Sequence, residues 1–149
     1  MSEKHRHSGK SLIFGVILLL GAAVWCLVKL CSGGAGGISG ETNEQRITYI
    51  SSYGWDAGLT HTEVKEVRIP VRFDETYEQY NALQKEQGFD LRKYRACSVK
   101  EYTYALKGLE GSSVPIYAHL LVLDGEIIGA DISSAEADGF VTVLAKQTD

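Results

Sequence analysis

The sequence predicts an α+β domain of two short helices packed on a small, mainly antiparallel sheet, preceded by one transmembrane helix. Three observations carry that expectation. An uncharged apolar run stands near the N-terminus, two capped segments beyond it repeat apolar residues at helical spacing, and an Asp-Gly pair separates two apolar runs in the second half. The 149 residues, 44% hydrophobic and 23% charged, suffice for one ordinary domain plus an appendage. Two prolines and 16 glycines exclude a collagen-like or proline-rich chain, and the mixed charge excludes a wholly disordered one.

The appendage is read first. From Leu12 to Val28 runs LIFGVILLLGAAVWCLV, without a charge, and extension past Lys29 to Cys31 makes twenty residues. At about 1.5 Å per helical residue such a run spans roughly 30 Å, the thickness of the hydrocarbon core. Trp25 and Lys29 stand near one end, where an indole and an ammonium suit the headgroup region. Lys4, Arg6 and Lys10 against Glu3 make residues 1–11 a basic tail, which the positive-inside asymmetry puts in the cytoplasm. No A-x-A site follows the run, so residues 12–31 read as an anchor in the cell membrane rather than a cleaved signal peptide. Residues 32–40, SGGAGGISG, read as a flexible tether, since they lack the spacing of a phosphate-binding loop. The expected extracytoplasmic domain is then 41–149, with 11 basic against 18 acidic side chains, a net of −7. That balance argues against nucleic acid as a partner, because phosphate neutralisation needs a basic surface.

Within the domain, Thr42 and Gln45 form a capping box ahead of Ile47, Ile50 and Tyr53, and Gly54 ends a helix expected over 43–53. Val64, Val67 and Ile69 before Pro70 suggest a strand with an irregularity, near an edge. Asp74 caps a second helix with Tyr77, Tyr80 and Leu83 or Gln84 on one face and Gly88 as terminator. Phe89 and Leu91 are placed to fold back on its end, and the basic turn Arg92-Lys93-Tyr94-Arg95 follows. Ser98 to Leu106 alternates, with Tyr102, Tyr104 and Leu106 on one face and Val99, Glu101, Thr103 and Ala105 on the other. Ile116 to Leu123 and Glu126 to Ile132 flank Asp124-Gly125, the pattern of a two-residue hairpin in a β-meander. A regular ladder puts Ala118, Leu120, Val122, Ile127, Gly129 and Asp131 on one face, the expected core. Tyr117, His119, Leu121, Ile128, Ala130 and Ile132 then share the other. For the segment ending GFVTVL, periodicity leaves a strand and a short helix equally open.

The segments ISSYGWDA, VRIPVRFDETYEQYNALQKEQGFDLRKYRA, KEYTYAL and LLVLDGEIIGADISS, with DGF after them, are where the chain resembles an uncharacterised bacterial family, domain of unknown function 4830. The resemblance covers nearly all of 46–140. It implies a small Firmicutes, hence Gram-positive, protein with one N-terminal membrane segment and one outer domain, and it brings no catalytic residues.

Chemistry is therefore sought by elimination. The outer domain holds two histidines, His61 and His119, and one cysteine, Cys97. His119 with Cys97 is one hydrolase pairing to consider, although no nucleophile signature surrounds the cysteine and a small buried side chain explains it as well. Ser133 and Ser134 stand beside Asp131 without a G-x-S-x-G elbow. Neither H-E-x-x-H nor paired cysteines at zinc spacing occur, and Asp131, Glu136 and Asp138 lack the order of a calcium loop, so no metal or other cofactor is expected. Asp131 is singled out because a carboxylate on a core face must be paired, hydrogen-bonded or protonated. All eight tyrosines lie in the outer domain, where they form a ligand platform or fill a small core. Arg92, Lys93, Arg95 and Lys100 form a basic cluster that either meets an anionic polymer or is a solvated turn.

The expectation is a non-catalytic binding or regulatory module, held to the bilayer by residues 12–31, that meets an envelope protein or peptide. Tyr117, His119, Asp131, Arg92, Lys93 and Arg95 are its candidate binding residues. The alternatives are a small cell-surface hydrolase using His119 with Cys97 or Asp131, and a peptidase-inhibitor-like or sensory domain.

Overall fold

The computed structural model describes residues 37–107, 114–136 and 139–144. The expected tail and membrane segment and the first part of the tether lie outside the described residues, among which no helix is long and apolar enough to cross a membrane.

Strand β1 (Ile38–Ser39) leads into helix α1 (Asn43–Ser51). The capping box forms: the Gln45 N–H donates to Thr42 Oγ1 at 3.3 Å, and the Thr42 N–H donates to Gln45 Oε1 at 3.0 Å. Strand β2 (Glu63–Arg68) follows, then helix α2 (Glu75–Glu86), whose N-cap Asp74 accepts from the Tyr77 N–H at 2.8 Å. A short 3-10 turn (Leu91–Tyr94) precedes the long strands β3 (Ser98–Leu106), β4 (Ile116–Leu123) and β5 (Glu126–Ser134), and β6 (Val141–Thr142) closes the order. The segment that periodicity left open thus supplies a short strand.

All pairings are antiparallel, in the order β2, β3, β4, β5, and both β1 and β6 add to the outer edge of β5. β1 takes Glu126 and Ile127, and β6 takes Ile132 and Ser133. Between them the edge is closed by side chains of α2 and its cap. The Ala130 N–H donates to Gln84 Oε1 at 2.9 Å, and Gln87 Nε2 donates to the Ala130 carbonyl at 2.7 Å. Two glutamines therefore replace a strand that is not there, because an edge amide without a partner is costly.

The core lies on the face of Tyr104, Ala118, Leu120, Val122, Ile127, Ala130 and Ile132, covered by Tyr49 and Ile50 of α1. α2 lies against the opposite face, where Tyr80 meets Asp131.

Two features differ from the sequence reading. The hairpin starts as expected, with Val122 opposite Ile127, but the register shifts between Leu121 and Val122 so that Leu121 faces Gly129 and His119 faces Asp131. Ile128 is the extra residue of this bulge. Beyond it every side chain of β5 changes face, which moves Ala130 and Ile132 into the core and moves Asp131 out of it to the side of His119. The second difference is β1. Its two residues lie in the expected tether, and Gly40 approaches the sheet so closely that a Cβ there would sit 2.5 Å from Ile127 Cγ1.

Candidate functional site

The face under α2 is built by strand alternation. β3 contributes Glu101 and Thr103, β4 contributes Tyr117, His119 and Leu121, and β5 contributes Gly129, Asp131 and Ser133. Thr103, His119 and Asp131 form one row across three strands, with Tyr117 and Ser133 in the next row. α2 supplies the opposing wall through Thr76, Gln79, Tyr80 and Leu83, residues at i, i+3, i+4 and i+7 that share one helix face. Between these two walls, with Val141 of β6 also in the lining, lies an open cavity of about 520 Å³ lined by Glu101, His119, Asp131 and Ser133.

The polar floor is ordered. His119 lies with Nδ1 3.1 Å from Thr103 Oγ1 and 3.7 Å from Glu101 Oε1, and with Nε2 2.9 Å from Ser133 Oγ. The Tyr80 hydroxyl donates to Asp131 Oδ2 at 2.7 Å. Lys65 of β2 pairs with Glu101 at 2.8 Å. Burial holds the Asp131 carboxyl above its ordinary range; the Tyr80 hydrogen bond opposes that shift, and the nearby Glu101 charge adds to it. Burial likewise pushes the Tyr80 hydroxyl well up, assisted by the Asp131 charge, so tyrosine is the donor of this pair. The hydrogen bond to Glu101 raises Lys65, which keeps its charge. Among the described residues no group of three or more His, Cys, Asp or Glu side chains is placed to hold a metal ion.

The structure brings His119 and Asp131 opposite one another, with Ser133 beside them, and leaves Cys97 elsewhere. Cys97 precedes β3, whereas His119 pairs with Thr103 farther along that strand. Six residues at about 3.4 Å each separate the two levels by roughly 20 Å, so the His119–Cys97 pairing is not formed. Cys97 is buried beside Ile69, whose main chain pairs with its own. Tyr117 is half-buried on the same face, opposite Ser133 and outside the cavity lining. The basic residues lie outside the cavity lining. Arg92 pairs with Glu78 of α2, the Arg95 guanidinium lies 5.1 Å from the Phe73 ring centre, and Lys93 is exposed.

Glu101, Tyr80 and Lys65 were not among the expected site residues. Alternation in β3 already pairs Glu101 with Thr103 on one face, and helical spacing already aligns Tyr80 with Leu83. What the sequence does not display is which strand lies beside which, or the bulge that turns Asp131 toward them.

The protein-family model described as Domain of unknown function (DUF4830) matches residues 49–132, more than half of the chain. No curated protein and no solved structure matches it.

Proposed function

Since the chain belongs to the DUF4830 family, whose description names no activity, we propose a function from the site: a non-catalytic binding or regulatory module that takes a ligand into the cavity between α2 and the sheet. Residues 12–31 anchor it to the cell membrane as a single pass, with the N-terminus cytoplasmic and residues 41–149 facing the envelope, where a protein or peptide is its partner or the source of its ligand.

The carrying observation is the state of the cavity's polar groups. Asp131 is held by Tyr80, Glu101 by Lys65, and His119 between Thr103 and Ser133, under the apolar surfaces of Leu83 and Val141. A pre-ordered polar floor with apolar walls loses little entropy on binding, which favours recognition.

A second reading, the small cell-surface hydrolase, is favoured by one contact: Ser133 Oγ lies 2.9 Å from His119 Nε2, with Glu101 near the other ring nitrogen. Against it stands the main chain around Ser133. This residue pairs with Tyr117 on one side and Val141 on the other, the Ser134 N–H donates to Phe140, and the Ala135 N–H donates to Pro115. Among these residues no pair of N–H groups remains to stabilise an oxyanion.

The test is complementation of a deletion strain by full-length variants that melt like the wild type. Leu83→Trp, which fills the cavity, should fail to complement, and Ser133→Ala should succeed. Failure of Ser133→Ala together with success of Leu83→Trp replaces the binding reading by the hydrolase.

A further inference from the structure

The cavity lining contains two carboxylates, Glu101 and Asp131, and neither lysine nor arginine. Lys65 reaches Glu101 from the neighbouring strand β2, outside that lining, and meets only Oε1. Asp131 is 6% exposed, and Tyr80 occupies its Oδ2. Its other oxygen, Oδ1, accepts no hydrogen bond among the described residues, and Asp131 lines the cavity. A nearly buried carboxylate that lines a cavity with one oxygen unbonded lacks a partner that a ligand would supply.

The surroundings narrow the ligand's chemistry. An anion would meet two carboxylates and neither lysine nor arginine in the lining, whereas an ammonium that reaches both forms charge-assisted hydrogen bonds to them. The Tyr80 ring, Leu83 and Val141 offer apolar surface beside those oxygens. The volume, about 520 Å³, falls in the range of roughly 300–1,000 Å³ usual for small-molecule sites.

We propose that the cavity binds a small primary amine, with its ammonium between Asp131 Oδ1 and Glu101 and its carbon chain along Leu83 and Val141. This inference rests on the reading of the cavity as a ligand site and specifies the ligand. His119, hydrogen-bonded between Thr103 and Ser133, then forms a polar boundary that orients the amine. Burial already raises the Asp131 carboxyl, and a cation beside it offsets that cost.

The experiment is a titration of the full-length, isotope-labelled chain in neutral detergent micelles, followed by two-dimensional amide NMR. The probes are n-butylamine, n-butanol and butanoate, three ligands of one size and three charges. Butylammonium is expected to shift the amides of 101, 119, 131 and 133 saturably, and to bind about tenfold or more tightly than butanol, the ratio given by one additional charge-assisted contact. Butanoate should leave them unmoved. Asp131→Asn and Glu101→Gln should each remove most of the difference between amine and alcohol, and Glu101→Gln, at a half-buried position, keeps the test open if Asp131→Asn fails to fold. Equal binding of amine and alcohol, or saturable binding of butanoate, overturns the ammonium assignment while leaving a ligand cavity. No saturable shift with any of the three overturns both.

Discussion

Arg46 is 4% exposed, and its charge is met by neutral partners. Its Nε donates to the Tyr104 hydroxyl at 2.8 Å, its Nη1 donates to the carbonyls of Gly40 at 2.7 Å and Glu41 at 2.8 Å, and its guanidinium lies 3.7 Å from the centre of the Tyr102 ring. One planar fork thus ties β1 and the start of α1 to β3. Arg46→Met should cost about 2–4 kcal/mol in urea unfolding, because buried carbonyls lose their donor. Arg46→Lys should recover only part of it, since an ammonium cannot stack and fork at once. Nothing in helical periodicity marks Arg46 as buried; its role follows from a chain segment that folds back over it. Asp131 supports a pH prediction. Its carboxyl is raised in the folded state above the ordinary 3.8, so between that value and the folded one the native protein holds a proton that the unfolded chain has released. Stability is therefore lost as pH rises through this window and is level above it. Melting temperatures of wild type and Asp131→Asn, compared from about pH 4 to 8, should show this slope in the wild type alone.

At the level of elements, the helices and the first turn of the hairpin were legible locally. Caps, terminating glycines and apolar spacing all lie within a few residues of one another, and α1, α2 and the Asp124-Gly125 turn stand where those signals put them. Asp124 has φ of 49° and Gly125 of 81°, the left-handed pair that a two-residue hairpin needs. Gly125→Val should cost roughly 1–2 kcal/mol or more, because a β-branched residue resists that conformation. Urea unfolding of the purified variant checks this, and an unchanged midpoint would remove the turn from the account. The bulge at Ile128 was not legible. Gly129 lies opposite Leu121 beneath α2, where Gln84 and Leu91 come close, so the extra residue places a strand position without a side chain under the helix. That requirement comes from the helix, some forty residues earlier in the chain, and no window along β5 contains it.

For the whole molecule, β1 extends the folded unit into residues expected to be a tether. A fragment of residues 37–149 should melt above one of residues 41–149, because the shorter one loses the pairing of Ile38 with Ile127 and the Gly40 carbonyl that Arg46 holds. Thermal unfolding of the two fragments, both folded, measures the difference, and equal melting would mean that β1 adds nothing. The proposed topology predicts that protease added to intact protoplasts removes the domain and spares residues 1–11; protection of the domain with loss of the tail would reverse the orientation. By itself, the sequence determined the α+β class, the capped helices, the long strands and the family, because these are written in local propensity and in alternation over short distances. It also marked His119 and Asp131 as worth attention. Only the tertiary structure decided that they face each other beside Glu101, Tyr80 and Ser133 while Cys97 lies apart. Which strands become neighbours, and which face each residue takes after a one-residue bulge, depend on packing between segments far apart in the chain, and that information is carried by no single segment.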